Sequence, residues 1–326
     1  MRSVVRMGVL GCADIALRKV MPAMKEAANI ELAAVASRDP AKAPAVARRF
    51  GCAAADGYDG LLERADVDAV YIPLPAALHA HWTARALAAG KHVLAEKPLA
   101  CDHATAVALV DQARTAGLWL MENYMFLHHG QHRRVGELVA EGRIGALRVF
   151  TARFGIPPRD ASDIRYSRAL GGGALLDVGG YPIRAASHFL GPELDVVGSV
   201  LRMDPARGID VAGHALLAAP SGTTAELSFG FEHAYRSRYS LWGDRGLLSV
   251  DRAFTPPPDQ RPLIRLESAG GTEEPPVPAD HQFRNVTEYF ARSILQNADC
   301  APHAEAITRQ AELVDKVRAK ARLVNA

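Results

Sequence analysis

The chain has 326 residues, 49% of them hydrophobic and 23% charged, which is an ordinary composition for a globular protein. A formal net charge of +2 without a basic stripe excludes the usual electrostatic footprint of nucleic-acid binding. No apolar run approaches the roughly 18 residues of a membrane span, and the four scattered cysteines indicate reduced thiols. We therefore expect a cytoplasmic protein with no membrane partner, and its length favours two domains.

Short apolar runs alternate with helical segments in the first third of the chain. We expect strands over 4–10, 30–36, 69–72, 93–96 and 119–122, and helices over 15–28, 40–50, 57–64, 76–89 and 102–116. The opening run MRSVVRMGVLGCADIA superficially resembles a signal peptide, but Asp14 interrupts it, so a first β-strand is the better interpretation. Regular alternation with short links predicts a doubly wound parallel sheet, the Rossmann type of α/β fold.

A different pattern follows a helix expected over 127–141. The segments 147–154, 195–203, 213–219, 223–231, 237–243 and 246–250 are typical of strands, and several alternate apolar with polar residues. This pattern predicts an open, mostly antiparallel sheet in an α+β domain. We expect a surface loop over 255–278 and closing helices over 283–296 and 304–324. The predicted boundary separates a dinucleotide-binding domain (1–123) from a substrate-binding and oligomerisation domain (124–326).

The turn after the first strand, Gly11-Cys12-Ala13-Asp14-Ile15-Ala16, is a weak match to the dinucleotide fingerprint G-x-G-x-x-G, because only its first glycine is present. A plain strand–turn–helix is the alternative for this segment taken alone. If Gly11 to Ile15 bind a dinucleotide, backbone N–H groups at the start of the helix must hold the diphosphate.

The end of the second strand carries Ser37-Arg38 where an NAD-preferring enzyme usually has Asp or Glu. A guanidinium can pair with a 2′-phosphate, and the serine hydroxyl can add a hydrogen bond. Asp39 is better explained as a helix N-cap. The sequence therefore predicts NADP(H) in preference to NAD(H).

Lys97 follows an apolar strand in the run Glu96-Lys97-Pro98, at the sheet edge where parallel sheets bind ligands. An ammonium group there can polarise a ketone and stabilise the alkoxide that forms when hydride arrives. A solvated surface lysine is the alternative, but Pro98 stiffens the backbone and Glu96 is available to hold the side chain.

A glycine-rich segment, GGGALLDVGGYP over 171–182, forms the second chemical element. Its glycines, among them Gly173, allow the backbone to approach a ligand closely, and Asp177 and Tyr181 share a helix face if the helix persists. A neighbouring ammonium would lower the pKa of the Tyr181 phenol and let it deliver a proton. A tyrosine that caps a core and an aspartate that caps a turn are the alternatives.

Together, GVLGCADIA, IPLPAALHAHW, AEKPLA and RYSRALGGGALLDVGGYPI resemble the glucose-fructose oxidoreductase / inositol dehydrogenase (Gfo/Idh/MocA) family over essentially the whole chain. The resemblance implies a Rossmann domain, a C-terminal domain whose sheet forms subunit interfaces, a catalytic role for Lys97, and a substrate that lies beneath Asp177 and Tyr181. Within the family, GCADIA, MENYMFLHH and the tyrosine of GGYP are most similar to nucleotide-sugar C-3 ketoreductases of bacterial deoxysugar and antibiotic pathways. That similarity implies that Tyr124 and Phe126 border the sugar.

Several further residues are candidates for ligand contact. His79 follows the turn Pro73-Leu74, where we expect the nicotinamide ribose, although a helix surface position is the alternative. Arg165 is a candidate for a cofactor phosphate, although a loop arginine is more often solvated. His128 is a candidate for a sugar hydroxyl or a diphosphate, and its spacing to His129 and His132, without a nearby acidic ligand, indicates no metal site.

The hypothesis is an NADPH-dependent reductase of a keto group, at C-3, on a nucleotide-activated 6-deoxyhexose, acting as a homodimer or homotetramer. One alternative is a dehydrogenase of a free sugar, inositol or dihydrodiol. A second is a non-catalytic sensor that binds NADP and a sugar, against which the presence of Lys97 with Tyr181 argues.

Overall fold

A computed structural model of the protein describes residues 3–325, and its first part is built on a parallel sheet. Its strands are β1 (Val5–Leu10), β2 (Ile30–Ala36), β3 (Ala53–Ala54), β4 (Ala69–Ile72), β5 (His92–Glu96) and β6 (Leu120–Asn123). They lie in the order β3-β2-β1-β4-β5-β6, and neighbouring strands are parallel. The predicted doubly wound sheet is confirmed, and its carboxyl edge is where such folds bind ligands.

Five helices connect these strands. They are α1 (Met21–Glu26), which continues a π-helical turn (Ala16–Val20), α2 (Lys42–Phe50), α3 (Gly57–Leu62), α4 (Ala76–Ala88) and α5 (His103–Ala116). Local signals set the ends of α5: the side chain of Asp102 accepts the N–H of Thr105, and Gly117 ends the helix in the left-handed region. Asp39 is not the cap of α2 that we expected, because Ala41 holds that position and Asp39 instead accepts the N–H of Ala41.

The second sheet has nine strands. They are β7 (Leu147–Gly155), β8 (Asp195–Asp204), β9 (Ile209–Ala218), β10 (Thr224–Gly230), β11 (Arg236–Gly243), β12 (Gly246–Asp251), β13 (Leu263–Ser268), β14 (Gly271–Glu273) and β15 (Ala321–Asn325). Their order is β14-β13-β12-β11-β7-β10-β9-β8-β15, and only β7 with β10 and β8 with β15 pair in parallel among these described strands. The prediction of a mostly antiparallel sheet is confirmed.

Two further helices belong with this sheet, α6 (Gly130–Ala140) and α7 (Gly180–Leu190). Phe229 of β10 fills the space next to Gly179, where an added Cβ would meet its ring at 3.1 Å. Phe150 of β7 and Phe189 of α7 place their ring centroids 5.9 Å apart. Glycine therefore lets the segment that leads into α7 lie close on the sheet, and the aromatic rings fill the layer between them.

Three sequence expectations differ from the structure. The expected loop over 255–278 contains the hairpin β13–β14, which its prolines and charges conceal. The expected helix over 304–324 ends at Ala319, and the chain continues as β15, an edge strand parallel to β8. The helix expected over 127–141 is broken at His129, whose Nδ1 accepts the N–H of Gln131 at the start of α6.

The described chain divides into two compact units, each made of two separate stretches of sequence. The first comprises 1–125 with 283–308, and the second comprises 126–282 with 309–326. Helix α8 (Gln282–Leu295) lies mostly in the first unit, where the carbonyl of Glu288 accepts a hydrogen bond from Asn29. Helix α9 (Ala301–Ala319) passes from one unit to the other at Thr308. The first unit thus includes a segment that the predicted boundary near Asn123 assigns to the second domain.

Among residues 3–325, no helix combines the length and apolarity that a membrane crossing demands.

Candidate active site

The predicted cofactor turn begins at Gly11, whose φ of 125° is a conformation that glycine adopts without strain. A Cβ at this position would lie 2.9 Å from the Leu74 side chain, so the turn after β1 packs directly on the turn after β4. The following helix begins at Asp14 and passes through the π-helical turn, for which the capping position Ile15 offers no side-chain hydrogen bond. The backbone N–H groups at this helix start therefore depend on another acceptor.

The chain just after β2 presents the charged side chains of Arg38 and Asp39 to solvent. Arg38 is exposed, whereas the Ser37 hydroxyl is buried and accepts the N–H of Asp39. Burial raises the pKa of the nearby Tyr58 phenol, and the Arg38 charge opposes that increase. Burial also raises the pKa of the Cys12 thiol, which keeps it protonated at neutral pH. The edge therefore offers the exposed guanidinium of Arg38 to an anionic group.

Lys97 is half-buried directly after β5, and neighbouring strands hold the backbone around it. Glu96 accepts hydrogen bonds from the Tyr71 hydroxyl and the Asn123 amide, both at 2.7 Å. The backbone N–H of Leu99 donates to a carboxylate oxygen of Glu122 at 2.9 Å. Glu96 is thus held by hydrogen bonds from both neighbouring strands, β4 and β6. The sequence suggests it only as a partner for Lys97.

His79 of α4 is almost completely buried, with 1% of its surface exposed. Its Nδ1 lies 2.7 Å from the carbonyl oxygen of Pro98, and its Nε2 lies 2.6 Å from the carbonyl oxygen of Leu74. Burial lowers the pKa of His79, and the two carbonyl contacts and the carboxylate of Glu96 oppose that decrease. Both ring nitrogens therefore face backbone oxygens of this unit.

In the second unit, the glycine-rich segment forms a tight bend before α7. A Cβ on Gly172 would meet backbone oxygens of Arg165 and Ser167, the latter at 2.8 Å, and one on Gly173 would lie 2.6 Å from a carboxylate oxygen of Asp210. Asp210 also accepts the N–H of Leu175 at 2.6 Å. Gly172 and Gly173 therefore make room for other atoms of this chain. From the sequence we expected the glycines to make room for a ligand, and we did not foresee these contacts within the chain.

The ring of Tyr181 stands in an aromatic cluster that we define as Phe126, Phe154, Phe254 and Tyr181. The centroid distances from Tyr181 are 5.0 Å to Phe154 and 5.7 Å to both Phe126 and Phe254. Such contacts stabilise by about 0.5–1.5 kcal/mol each beyond burial. The cluster therefore fixes the direction of the Tyr181 ring, and Phe126 is fully buried within it.

Asp177 lies in a π-helical turn (Leu175–Gly179) before α7, and Arg165 contacts it. Arg165 Nε donates to Asp177 Oδ2 at 2.6 Å, and Nη1 contacts Asp163 at 3.2 Å. The neighbouring carboxylates of Asp177 and Asp163 raise the pKa of Arg165 against its burial. The guanidinium that we expected at a cofactor phosphate is thus paired with the carboxylate that we expected near substrate.

The remaining candidates occupy buried or half-buried positions. Tyr124 is 2% exposed, and His128 is half-buried at the end of a 3₁₀ turn (Met125–His128). His129 caps α6, and the buried His132 contacts the Tyr239 hydroxyl at 2.8 Å. Within residues 3–325, no group of three His, Cys, Asp or Glu side chains is arranged for a metal ion.

Several site residues escaped the sequence analysis. Tyr71, Glu122 and Asn123 lie at or near the carboxyl ends of β4 and β6, the strands on either side of β5. Their place beside Lys97 follows from the sheet order, which a correct strand assignment could have supplied. Asp210 and Phe254 are far from the glycine-rich segment in sequence, and no local signal indicates them.

Comparison with known proteins agrees with this architecture. The family model described as "Oxidoreductase family, NAD-binding Rossmann fold" matches residues 5–124, and the one described as "GFO/IDH/MocA C-terminal domain" matches residues 132–249. A relative from Streptomyces violaceoruber, a dTDP-3,4-didehydro-2,6-dideoxy-alpha-D-glucose 3-reductase, is 53% identical over 98% of this chain and 96% of its own.

A solved structure shows the same likeness. It is a 3-ketoreductase from Actinomadura kijaniata in complex with NADP and TDP-benzene, with a TM-score of 0.96, 49% identity and 99% of each chain covered. Structures of a tyrosine-to-phenylalanine variant and a lysine-to-alanine variant of that enzyme match with TM-scores of 0.96 and 0.93, at 49% and 48% identity, again over 99% of each chain. The family predicted from the sequence motifs is confirmed: the chain belongs to the GFO/IDH/MocA oxidoreductases.

Proposed function

We propose that this protein is an NADPH-dependent reductase of the C-3 keto group of a dTDP-activated deoxyhexose. The observation that carries the proposal is the near-complete likeness, at 53% identity over 98% of the chain, to a relative named for that reaction. The solved relative that holds NADP and TDP-benzene supports both the cofactor and the nucleotide part of the substrate. The named class of substrate agrees with the expectation from the sequence motifs.

The residues of the first unit fit NADP(H). The start of the helix at Asp14 offers backbone N–H groups without a side-chain cap, and Arg38 offers an exposed guanidinium for the 2′-phosphate. When bound, NADPH supplies the hydride for the ketone carbon. Gly11 to Ile15, Ser37, Arg38 and the turn Pro73-Leu74 are the residues that we assign to this cofactor.

We assign the polarisation of the ketone oxygen to Lys97, because its ammonium can stabilise the negative charge that forms there. The proton for that oxygen comes from the phenol of Tyr181, whose ring the aromatic cluster orients. Asp177 is bound by Arg165 at 2.6 Å, and we assign to this pair the tuning of the local charge. The solved relative has been crystallised with one lysine or one tyrosine replaced, which are the two residue types that we assign here.

The test is turnover with dTDP-3,4-didehydro-2,6-dideoxy-alpha-D-glucose, the substrate for which the relative is named. We expect stoichiometric NADPH oxidation, a C-3 alcohol by NMR, a smaller rate with NADH, and no turnover of D-xylose.

Lys97→Ala should lower kcat by about 100- to 1,000-fold and Tyr181→Phe by about 100- to 10,000-fold, with little change in NADPH affinity. Oxidation of free sugars by the wild type, or full turnover by a Lys97→Ala/Tyr181→Phe variant, would contradict the assignment.

We also propose that the enzyme acts in the cytoplasm as a homodimer or homotetramer, within a deoxysugar pathway that supplies antibiotic glycosides. Exposed apolar residues on the second sheet, such as Trp242 and Val197, support self-association. Light scattering at micromolar concentration measures the mass, and a monomer would contradict the oligomeric part.

A further inference from the structure

His79 faces two hydrogen-bond acceptors and no donor among the contacts of its ring nitrogens. The carbonyl oxygens of Pro98 and Leu74 lie 2.7 Å from Nδ1 and 2.6 Å from Nε2. A carbonyl oxygen cannot donate, so each contact is a hydrogen bond only if the ring nitrogen carries a proton. A neutral imidazole has one N–H and satisfies one carbonyl, whereas the imidazolium satisfies both.

The two carbonyl groups belong to the two turns that the proposed reaction uses. Leu74 lies in the turn after β4, and its side chain packs against Gly11 of the cofactor turn. Pro98 directly follows Lys97 in the turn after β5. A single buried side chain therefore connects the backbone beside the cofactor residues with the backbone beside the reactive lysine.

The surroundings of His79 carry two opposing charges. The carboxylate of Glu96 favours the protonated ring, and the ammonium of Lys97 disfavours it, while burial also lowers the pKa of His79. Glu96 is itself held by Tyr71 and Asn123, so its distance to the ring is fixed by the sheet. The second bond of His79 therefore forms only when the pH is below the pKa of the ring, which burial lowers.

We propose that His79 is a positioning residue that ties the Lys97 turn to the cofactor turn through the carbonyl groups of Pro98 and Leu74. The bond to Pro98 fixes the backbone from which the Lys97 side chain extends. The bond to Leu74 fixes the turn that lies against Gly11. The effect of His79 on Lys97 rests on the proposed function. The effect of the bond to Leu74 on NADPH binding does not depend on the role of Lys97.

Two variants separate the two bonds. In His79→Asn, the side-chain amide can replace Nδ1 and keep the bond to Pro98, whereas in His79→Gln it can reach the position of Nε2 and keep the bond to Leu74. We expect His79→Gln to lose kcat by about 100-fold through misplacement of Lys97 while its NADPH dissociation constant stays near that of the wild type. His79→Asn should show the reverse, with kcat largely kept and NADPH affinity weakened.

The dependence on pH supplies the second readout. The advantage of the wild type over the two variants should grow as the pH falls through the pKa of His79, because the ring then holds both protons. It should shrink as the pH rises through the pKa of His79, because the neutral ring donates only once. Neither variant has a titrating group at position 79, so the kcat ratio of one variant to the other should not change with pH.

His81→Asn, on the same helix but exposed, is the matched control, and thermal unfolding is measured for every variant. Equal losses of kcat and NADPH affinity in both His79 variants, in proportion to lost stability, would overturn the proposal and leave a structural role. A wild-type advantage that is independent of pH would also overturn it. If the wild type reduces no keto sugar, the proposed function fails, and NADPH titration of the two variants still decides whether the bond to Leu74 matters.

Discussion

Arg165 determines what Asp177 can do. Its Nε lies 2.6 Å from Asp177 Oδ2, and both side chains are half-buried. A guanidinium stays charged throughout the accessible pH range, so it places a permanent positive charge beside Asp177. In the proposed reaction we assign the proton to Tyr181, and Asp177 acts together with Arg165.

We predict that Arg165→Met lowers the free energy of unfolding by about 1.5–3 kcal/mol, because it removes the charged hydrogen bond that Arg165 donates to Asp177. Urea unfolding measures this change. Arg168→Met, on the adjacent exposed turn, is the control and should stay within about 0.5 kcal/mol of the wild type. Equal stabilities of the two variants would show that the ion pair is dispensable.

At the scale of elements, the bend before α7 depends on glycine for contact and for conformation. Gly172 approaches the backbone of Arg165 and Ser167, and Gly173 has a φ of 122° beside Asp210. Because backbone atoms surround Gly172, a Cβ cannot be accommodated by a side-chain rotation. The bend also carries the carbonyl of Arg165 and so determines where its guanidinium meets Asp177.

We predict that Gly172→Ala destabilises the protein by about 1–3 kcal/mol and lowers kcat as well, since the altered bend displaces Arg165 and the π-helical turn. The control is Gly117→Ala, where a Cβ meets nothing within 4 Å and only the left-handed φ of 64° is unfavourable. That variant should lose about 1–2 kcal/mol and keep kcat. A Gly172→Ala enzyme with normal kcat would refute the coupling between bend and catalysis.

The elements also show what the sequence could reveal. The fully buried strand β4 and the capped helix α5 have strong local signals and were predicted within a residue or two. Strand β15 was read as the end of a helix, because edge strands have little buried alternation and Leu323 is exposed. The contact between Arg165 and Asp177 depends on a bend whose path no periodicity describes, so the role of Arg165 could not be derived from spacing.

At the scale of the whole molecule, histidines link stability to pH. Partial or complete loss of contact with water lowers the pKa of six histidines, which are His79, His92, His129, His132, His188 and His233. In the unfolded chain these groups titrate near about 6.5, so below that pH the unfolded state binds more protons than the folded state. Burial raises the pKa of Asp210, so this group alone would make the protein more stable as the pH falls. The unfolded-state pKa of an aspartate is only about 3.9.

We therefore predict that the free energy of unfolding falls as the pH decreases from 7.5 to 5.5, since six histidines outweigh one aspartate. Urea unfolding at three pH values measures the slope. His132→Gln should show a flatter slope, even if it is less stable at pH 7.5, because it removes a buried titrating ring. A constant or rising stability over this range would contradict the interpretation.

The division of the chain limits how this enzyme can be recombined with its relatives. Because the first unit takes residues 1–125 and 283–308, the polypeptide changes unit at three places, one of them within α9. A chimera with one junction near residue 125 would import a foreign α8 and lose the native partner of Asn29. Exchange of sugar specificity between homologues therefore calls for three matched junctions.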